Sequence, residues 1–249
     1  MPRAGLWQQL LGILVPAAHA AAPLEITRPY DARLYTLAYD VFLANGDVES
    51  AYQVARAAIG HVPEDIAWRE RFARVAEWSR RPVEALAAWR WLAERTGADG
   101  AWQSILRLAP GLGDDEALLP ALRRQTDRPG AQDAAHITDV RALVAAWERV
   151  GRPEDALAWL EARLQRPGET ALLEIAADLA DRMGGRDRAI ALNLQLIERS
   201  TPTTARLIRL ATLQVLAGRY AEAHALLKRF RSVTGPEARE YWDLLGDLA

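Results

Sequence analysis

No cysteine occurs among the 249 residues. Its absence excludes disulfides, thiolate metal sites, thiol nucleophiles and lipoprotein attachment, and it is compatible with cytoplasm and periplasm alike. Lysine is nearly absent as well: Lys228 stands alone, and arginine supplies the rest of the 31 basic charges that face 33 acidic ones. This bias is read as the codon usage of a GC-rich genome rather than as a binding surface. The net charge of −2 is spread without long runs of one sign. A nucleic-acid binder needs a concentrated basic face, so nucleic acid is not expected as a partner. The 4 histidines (His19, His61, His136 and His224) are too far apart to form a metal-spaced pair. No glycine-rich phosphate loop or Gly-x-Ser-x-Gly elbow occurs. The most acidic cluster, "GDDE" at residues 113–116, lacks the alternating oxygen ligands of a calcium loop; Asp114 or Asp115 more simply caps the helix that follows. Neither metal, cofactor nor enzymatic activity is expected.

Long apolar runs are missing beyond residue 22, so nothing downstream is expected to cross a membrane. The N-terminal stretch "MPRAGLWQQLLGILVPAAHAAA", residues 1–22, has Arg3 near its start, an apolar run from Leu6 to Val15, and Ala18-His19-Ala20 ahead of Ala21. A positive end, a short apolar segment and a small-x-small site make the layout of a secretory signal. An inner-membrane anchor and an ordinary amphipathic helix of a cytosolic protein stand as the alternatives.

Half of the chain is apolar, which suffices for a sizeable core. Its order is periodic. "GDVESA" ends at Ala51, "RRPVEA" at Ala85, "GRPEDA" at Ala156, "GGRDRA" at Ala189 and "GRYAEA" at Ala223; the steps are 34, 71, 33 and 34 residues. A period near 34 is the length of one helix-turn-helix repeat. Residues 34–44 and 206–217 carry apolar side chains at three- and four-residue intervals, as amphipathic helices require. Asn45-Gly46 and Ala217-Gly218 close them, glycine tolerating the positive φ of a helix C-terminus. Pro63, Pro167, Pro202 and Pro236 fall in or near the joints between units, where the missing N–H does no harm. The alanines have a steric role: paired helices approach closely only where facing side chains are small. Tyr52, Trp89, Trp91, Trp159 and Leu227 are expected to fill the space around them. No pair buries its apolar face alone, so the units must stack.

On these residues the chain resembles the tetratricopeptide repeat (TPR) family. With the post-turn alanine as the twentieth position of that family's motif, Gly46-Asp47, Ala51, Ala58 and Pro63 match in the first unit, and Ala73 and Ala85 in the second. Arg80-Arg81-Pro82 stands where Gly-Asp is usual, while Gly151, Gly184 and Gly218 restore the turn glycine later. The resemblance covers about residues 31–249 and implies an all-α fold, a right-handed superhelical solenoid of stacked antiparallel helix pairs. The expected organisation is a signal peptide or N-terminal anchor at 1–22, N-terminal repeats at 23–126, a polar joint at 127–136, and C-terminal repeats at 137–249. Residues 98–136 depart from the pattern and are read as a unit with a shortened first helix followed by that joint. The terminal "YWDLLGDLA" reads either as a capping helix or as the opening of a further repeat.

In such a stack the first helices line the concave side. Trp78 lies late on a first helix near Glu70, Arg74 and Glu77, and the corresponding positions of later units hold Arg141, Glu148, Glu174, Asp178 and Asp181. A strip mixing acids, arginines and an aromatic suits a protein segment or a sugar chain; a merely solvated face is the alternative. The basic clamp of chaperone-binding relatives is missing, since Thr36 and Asp40 occupy two of its positions. A narrower resemblance rests on "EDIAWRERFARVAEWSRRPVEALAAWRWLAERTG", residues 64–97. It is similar to repeats of the large TPR-bearing protein that guides Pel exopolysaccharide through the periplasm to an outer-membrane barrel. That resemblance implies a non-enzymatic periplasmic scaffold whose partner is a polysaccharide deacetylase or hydrolase, or the polysaccharide itself. No run of alternating strands for a barrel occurs here. A cytosolic TPR adaptor or regulator, unrelated to polysaccharide, is the other reading.

Overall fold

A computed structural model describes residues 30–127, 134–164, 170–235 and 238–249. The described residues form thirteen α-helices and a short 3-10 turn, with no strand among them. They divide between Ala121 and Leu122 into two compact units, each described on its own.

The first unit holds α1 (Ala32–Ala44), α2 (Val48–His61), α3 (Ile66–Trp78), α4 (Pro82–Thr96), α5 (Asp99–Leu112) and the start of α6 (Asp115–Thr126). From α1 to α5, each helix packs on the next in chain order. Local chemistry sets the starts. Asp31 accepts from the N–H groups of Arg33 and Leu34, Asp47 from that of Ser50 at 3.0 Å, and Asp65 from that of Trp68 at 2.8 Å, satisfying donors that the first helical turn leaves open. Asp114 does the same for Ala117 at 2.9 Å, so the acidic cluster holds a cap, as its position suggests. Where no side chain caps, Pro82 opens α4, its missing N–H being one the helix cannot use there.

The second unit holds the rest of α6, then α7 (Ala134–Arg149), α8 (Pro153–Glu161), α9 (Thr170–Arg182), α10 (Arg186–Arg199), α11 (Thr204–Leu216), α12 (Tyr220–Phe230), the 3-10 turn Arg231–Val233 and α13 (Arg239–Asp247). From α7 onward each helix again packs on its successor, and α7 also meets α9 as α11 meets α13. That is the pattern of stacked helix pairs.

All five register alanines, Ala51, Ala85, Ala156, Ala189 and Ala223, have zero exposure, so the close-approach reading holds at every one. Tyr52, Trp89, Trp159 and Leu227 are buried beside them. Trp91 is half-buried, with the guanidinium groups of Arg69 and Arg95 at 4.7 and 5.2 Å from its ring. The turns repeat one hydrogen-bond scheme. Gly46 N–H donates to Leu43 O at 3.0 Å and Asp47 N–H to Phe42 O at 2.9 Å; Gly218 donates to Val215 at 2.9 Å and Arg219 to Gln214 at 2.8 Å. This is the paired closure that a left-handed residue after a helix makes possible.

Residues 98–112 correct the sequence reading. The first helix of this unit is not shortened: α5 has 14 residues and passes through Pro110. The proline sits in the last turn, so only one carbonyl near the helix end loses a backbone partner. Gly113, at φ 66°, closes α5 as the other turn glycines close theirs. The expected polar joint at 127–136 lies mostly outside the described residues, and its last three positions belong to α7. The N-terminal segment 1–22 lies outside them too, as do Pro167 and Pro236. In α13 the anchor is Tyr241, fully buried, with its hydroxyl donating to the Leu227 carbonyl; Trp242 is half-buried and stands edge-on to the Tyr241 ring. No helix among the described residues is long and apolar enough to cross a membrane.

Candidate functional site

The candidate positions of the first unit lie on α3. Side chains four residues apart share one face of a helix, and Ile66, Glu70, Arg74 and Trp78 have that spacing. Ile66, Arg74 and Trp78 are exposed, Ile66 to 49% and Trp78 to 57%, and Glu70 is half-buried, paired with Arg74 between them. The result is a stripe with an apolar residue at each end and a zwitterionic pair in the middle. Glu77 belongs elsewhere. Its side chain is only 15% exposed, accepts from Trp89 Nε1 of α4 at 2.5 Å, and pairs with Arg107 of α5 at 2.7 Å. It ties three helices together and is not available to a partner.

In the second unit Arg141 is exposed on α7 and takes part in none of the pairs that follow. Glu148 receives both Nε and Nη2 of Arg182, at 2.9 and 3.0 Å. Asp178 and Glu174 receive the two terminal nitrogens of Arg206, at 2.6 and 2.8 Å, while Asn193 Oδ1 accepts from the same guanidinium at 3.3 Å. Asp181 accepts from Arg209 Nε at 2.5 Å. The hydrogen bond from Arg182 to Glu148 raises the arginine's pKa. Burial works against charge on Arg206, yet Asp178 and Glu174 outweigh it and the pKa is raised.

These acids are therefore paired between repeats, although Glu174 and Asp178 keep 45% and 43% of their side chains exposed. Each sits on a first helix and is neutralised by an arginine from the first helix of the next repeat. Acids of the second helices are paired in a similar way by arginines that precede the next second helix: Arg81 donates to both oxygens of Glu49 at 2.8 and 3.1 Å and lies 4.1 Å over the Tyr52 ring, and Arg219 reaches Asp187 at 2.6 Å. A carboxylate occupied by a guanidinium fork has little left to offer a ligand. Sequence reasoning found the acids and missed their partners, Arg182, Arg206 and Arg209, although each follows its acid by 28 to 34 residues. It also missed Ile66, which the four-residue spacing from Glu70 places on the same stripe.

Among the described residues, no three histidine, aspartate or glutamate side chains gather as metal ligands would. His61 ends α2 against the rings of Tyr30 and Tyr35, and His224 lies on α12. What the described geometry offers is a surface for contact.

No protein-family model matches the chain, and no curated protein matches it. Several solved structures do. A tetratricopeptide repeat protein from Parabacteroides merdae ATCC 43184 is 18% identical, with 90% of this chain and 86% of that one covered and a TM-score of 0.37. PilW, described as a widely conserved type IV pilus biogenesis factor, is 12% identical over 86% of this chain and 97% of its own, with a TM-score of 0.42. The TPR2AB domain of yeast Sti1, solved with pHSP90, is 16% identical over 87% and 98%, with a TM-score of 0.36. At these identities the similarity concerns the repeat fold and leaves open what this chain binds.

Proposed function

We propose that this chain is a non-enzymatic scaffold that docks another protein through the exposed stripe of α3, and that it works in the periplasm during exopolysaccharide export. The observation that carries the docking surface is the exposed Trp78, four residues from Arg74 and on the stripe that Ile66 opens. Aromatic and arginine side chains dominate the energetics of protein interfaces, and the acids of the second unit are already engaged within the stack. The export setting rests on the likeness of residues 64–97 to the Pel repeat protein and on the signal-like layout of residues 1–22. On that reading the partner is a polysaccharide deacetylase or hydrolase. The polysaccharide itself is the lesser candidate, because the α3 stripe has a single aromatic, Trp78, which makes a short platform for a sugar chain.

The test is capture of partners by the chain from Ala21 onward, out of its own periplasmic extract, with mass spectrometry of what is retained. A deacetylase or hydrolase that is retained by the wild type and lost with Trp78→Ala/Arg74→Ala, the stack remaining folded, supports the reading. Retention unchanged in the double variant removes the α3 stripe from the interface. If the chain keeps its Met1 end in the cytoplasm and retains only cytosolic regulators, the adaptor reading takes its place.

A further inference from the structure

Asn45 and Gly46 close α1 and lead into α2. The pair also carries a chemistry that ending a helix does not use. An asparagine side chain presents an electrophilic carbonyl carbon, and the backbone nitrogen of the next residue can close a five-membered ring on it. Glycine leaves that nitrogen unobstructed, because it has no Cβ. Asn45 is exposed, and a Cβ built on Gly46 would meet nothing within 4 Å, so no neighbour shields the turn from water. The chain's other asparagine makes the contrast. Asn193 is 1% exposed within α10 and precedes Leu194; it donates from Nδ2 to the Ala189 carbonyl at 2.8 Å and accepts from Arg206 at 3.3 Å.

The folded turn holds the reacting groups apart. Ring closure needs Gly46 N eclipsed with Asn45 Cβ about the Cα–C bond. At ψ 2° it is eclipsed with the Asn45 nitrogen instead, one tetrahedral position away. Both groups are also tied: Gly46 N–H donates to Leu43 O at 3.0 Å, and Asn45 Nδ2 to Val41 O at 2.9 Å. The reaction therefore waits for the turn to open, and a local opening costs less than global unfolding.

We propose that Asn45 is a site of spontaneous deamidation, gated by opening of the α1–α2 turn. The Gly46 amide gives up its proton to hydroxide and its nitrogen attacks Asn45 Cγ. A new C–N bond forms, the bond to Nδ2 breaks, and that nitrogen leaves as ammonia with a proton from water. Water then adds to either carbonyl of the cyclic imide and opens it, giving aspartate or isoaspartate. One water is consumed, one ammonia is released, and nothing is oxidised. The product cannot rebuild the turn. A carboxylate has no donor for Val41 O, places negative charge at a helix C-terminus, and stands two residues from Asp47, whose own carboxylate caps α2. Isoaspartate also routes the main chain through Cβ, so the bonds from Gly46 to Leu43 and from Asp47 to Phe42 lose register. Because α1 holds Tyr35 and Tyr39 edge-on to Trp68 of α3, the modification loosens the first repeat irreversibly. It does so whether or not the α3 stripe binds a partner.

The whole chain, folded and in urea, is incubated at mildly alkaline pH. The peptide holding residue 45 is followed by mass spectrometry, with chromatography to separate aspartate from isoaspartate. Product should accumulate in both samples, at least about tenfold more slowly in the folded chain, the factor that an opening free energy of about 1.4 kcal/mol imposes. Asp47→Ala removes the cap on Ser50 N–H and should raise the folded rate about threefold or more, relative to the same variant in urea. Ala223→Leu, in the second unit, should leave that ratio unchanged. Asn45→Gln should abolish the product, since its ring would need six members. Asn45→Asp should speed hydrogen exchange at the Gly46 and Asp47 amides about threefold or more. Equal rates folded and in urea, or no product in the folded chain while the urea sample converts, would overturn the proposal. So would a ratio unmoved by Asp47→Ala or raised as much by Ala223→Leu, product that persists in Asn45→Gln, or unchanged exchange in Asn45→Asp.

Discussion

Replacing Arg80 by glycine should make this protein more stable. Four turns of the stack place glycine five residues before the register alanine: Gly46, Gly151, Gly184 and Gly218, with φ between 72° and 75°. The second repeat has Arg80 there, at φ 59°, the one positive-φ residue of the described chain that is not glycine. Its turn closes as the others do, with Arg80 N–H donating to Glu77 O at 3.0 Å and Arg81 N–H to Ala76 O at 2.8 Å. The backbone therefore imposes the left-handed conformation on a residue with a Cβ, which costs roughly 1–2 kcal/mol. The exposed Arg80 side chain makes no ion pair among the described residues to offset this. Glycine relieves the strain but adds about 0.4–1 kcal/mol of unfolded-state entropy. The net expectation is a gain of about 0.5–1 kcal/mol, read as a higher urea midpoint by far-UV circular dichroism with an unchanged slope. Arg80→Asn should fall between, since asparagine tolerates this region better, and Arg80→Val should destabilise. If Arg80→Gly is no more stable than the wild type and Arg80→Val equals it, the turn holds no strain and the reasoning fails.

Ala223→Leu should destabilise by about 1–3 kcal/mol, because three added heavy atoms enter a site with no exposed surface. Ala221→Leu, two residues earlier on the exposed face of α12, should stay within about 0.5 kcal/mol; equal losses in the paired melts would sink the close-approach argument. Arg206→Met should lose about 1–2 kcal/mol: it uncouples two acids, but at 43% and 45% exposure they regain water, which keeps the loss below that of a buried pair. Hydrogen exchange should localise that loss to the α9–α11 contact, and uniform loosening of the chain would contradict it. Glu49 has its pKa lowered by the hydrogen bond from Arg81. The unfolded state thus binds the proton more readily, so this contribution is present above the ordinary carboxylate pKa and fades as pH falls through the depressed one. Glu49→Gln should flatten the acid limb of stability between about pH 5 and 3, and an unchanged limb would show that the pair adds nothing.

The repeat was legible because its signals are local. A glycine that must adopt positive φ and an alanine that must let two helices touch are each dictated within a few residues, and their spacing of 33 or 34 carries the period along the chain. The third turn escaped notice for an equally physical reason. Leu118 stands five residues after Gly113, where other repeats have alanine, so counting alanines stepped 71 residues at once, and the first helix of that unit, expected to be shortened, runs its full length through a last-turn proline, Pro110. The candidate site was only half legible. Four-residue spacing was enough to put Glu70, Arg74 and Trp78 on one face. The fate of Glu77, Glu148, Glu174, Asp178 and Asp181 depended on which arginine of a neighbouring helix lay opposite. Periodicity and turns are properties of the chain. Which charges are neutralised and which surface stays open are properties of helices stacked at a particular height and rotation, which only the tertiary structure decides.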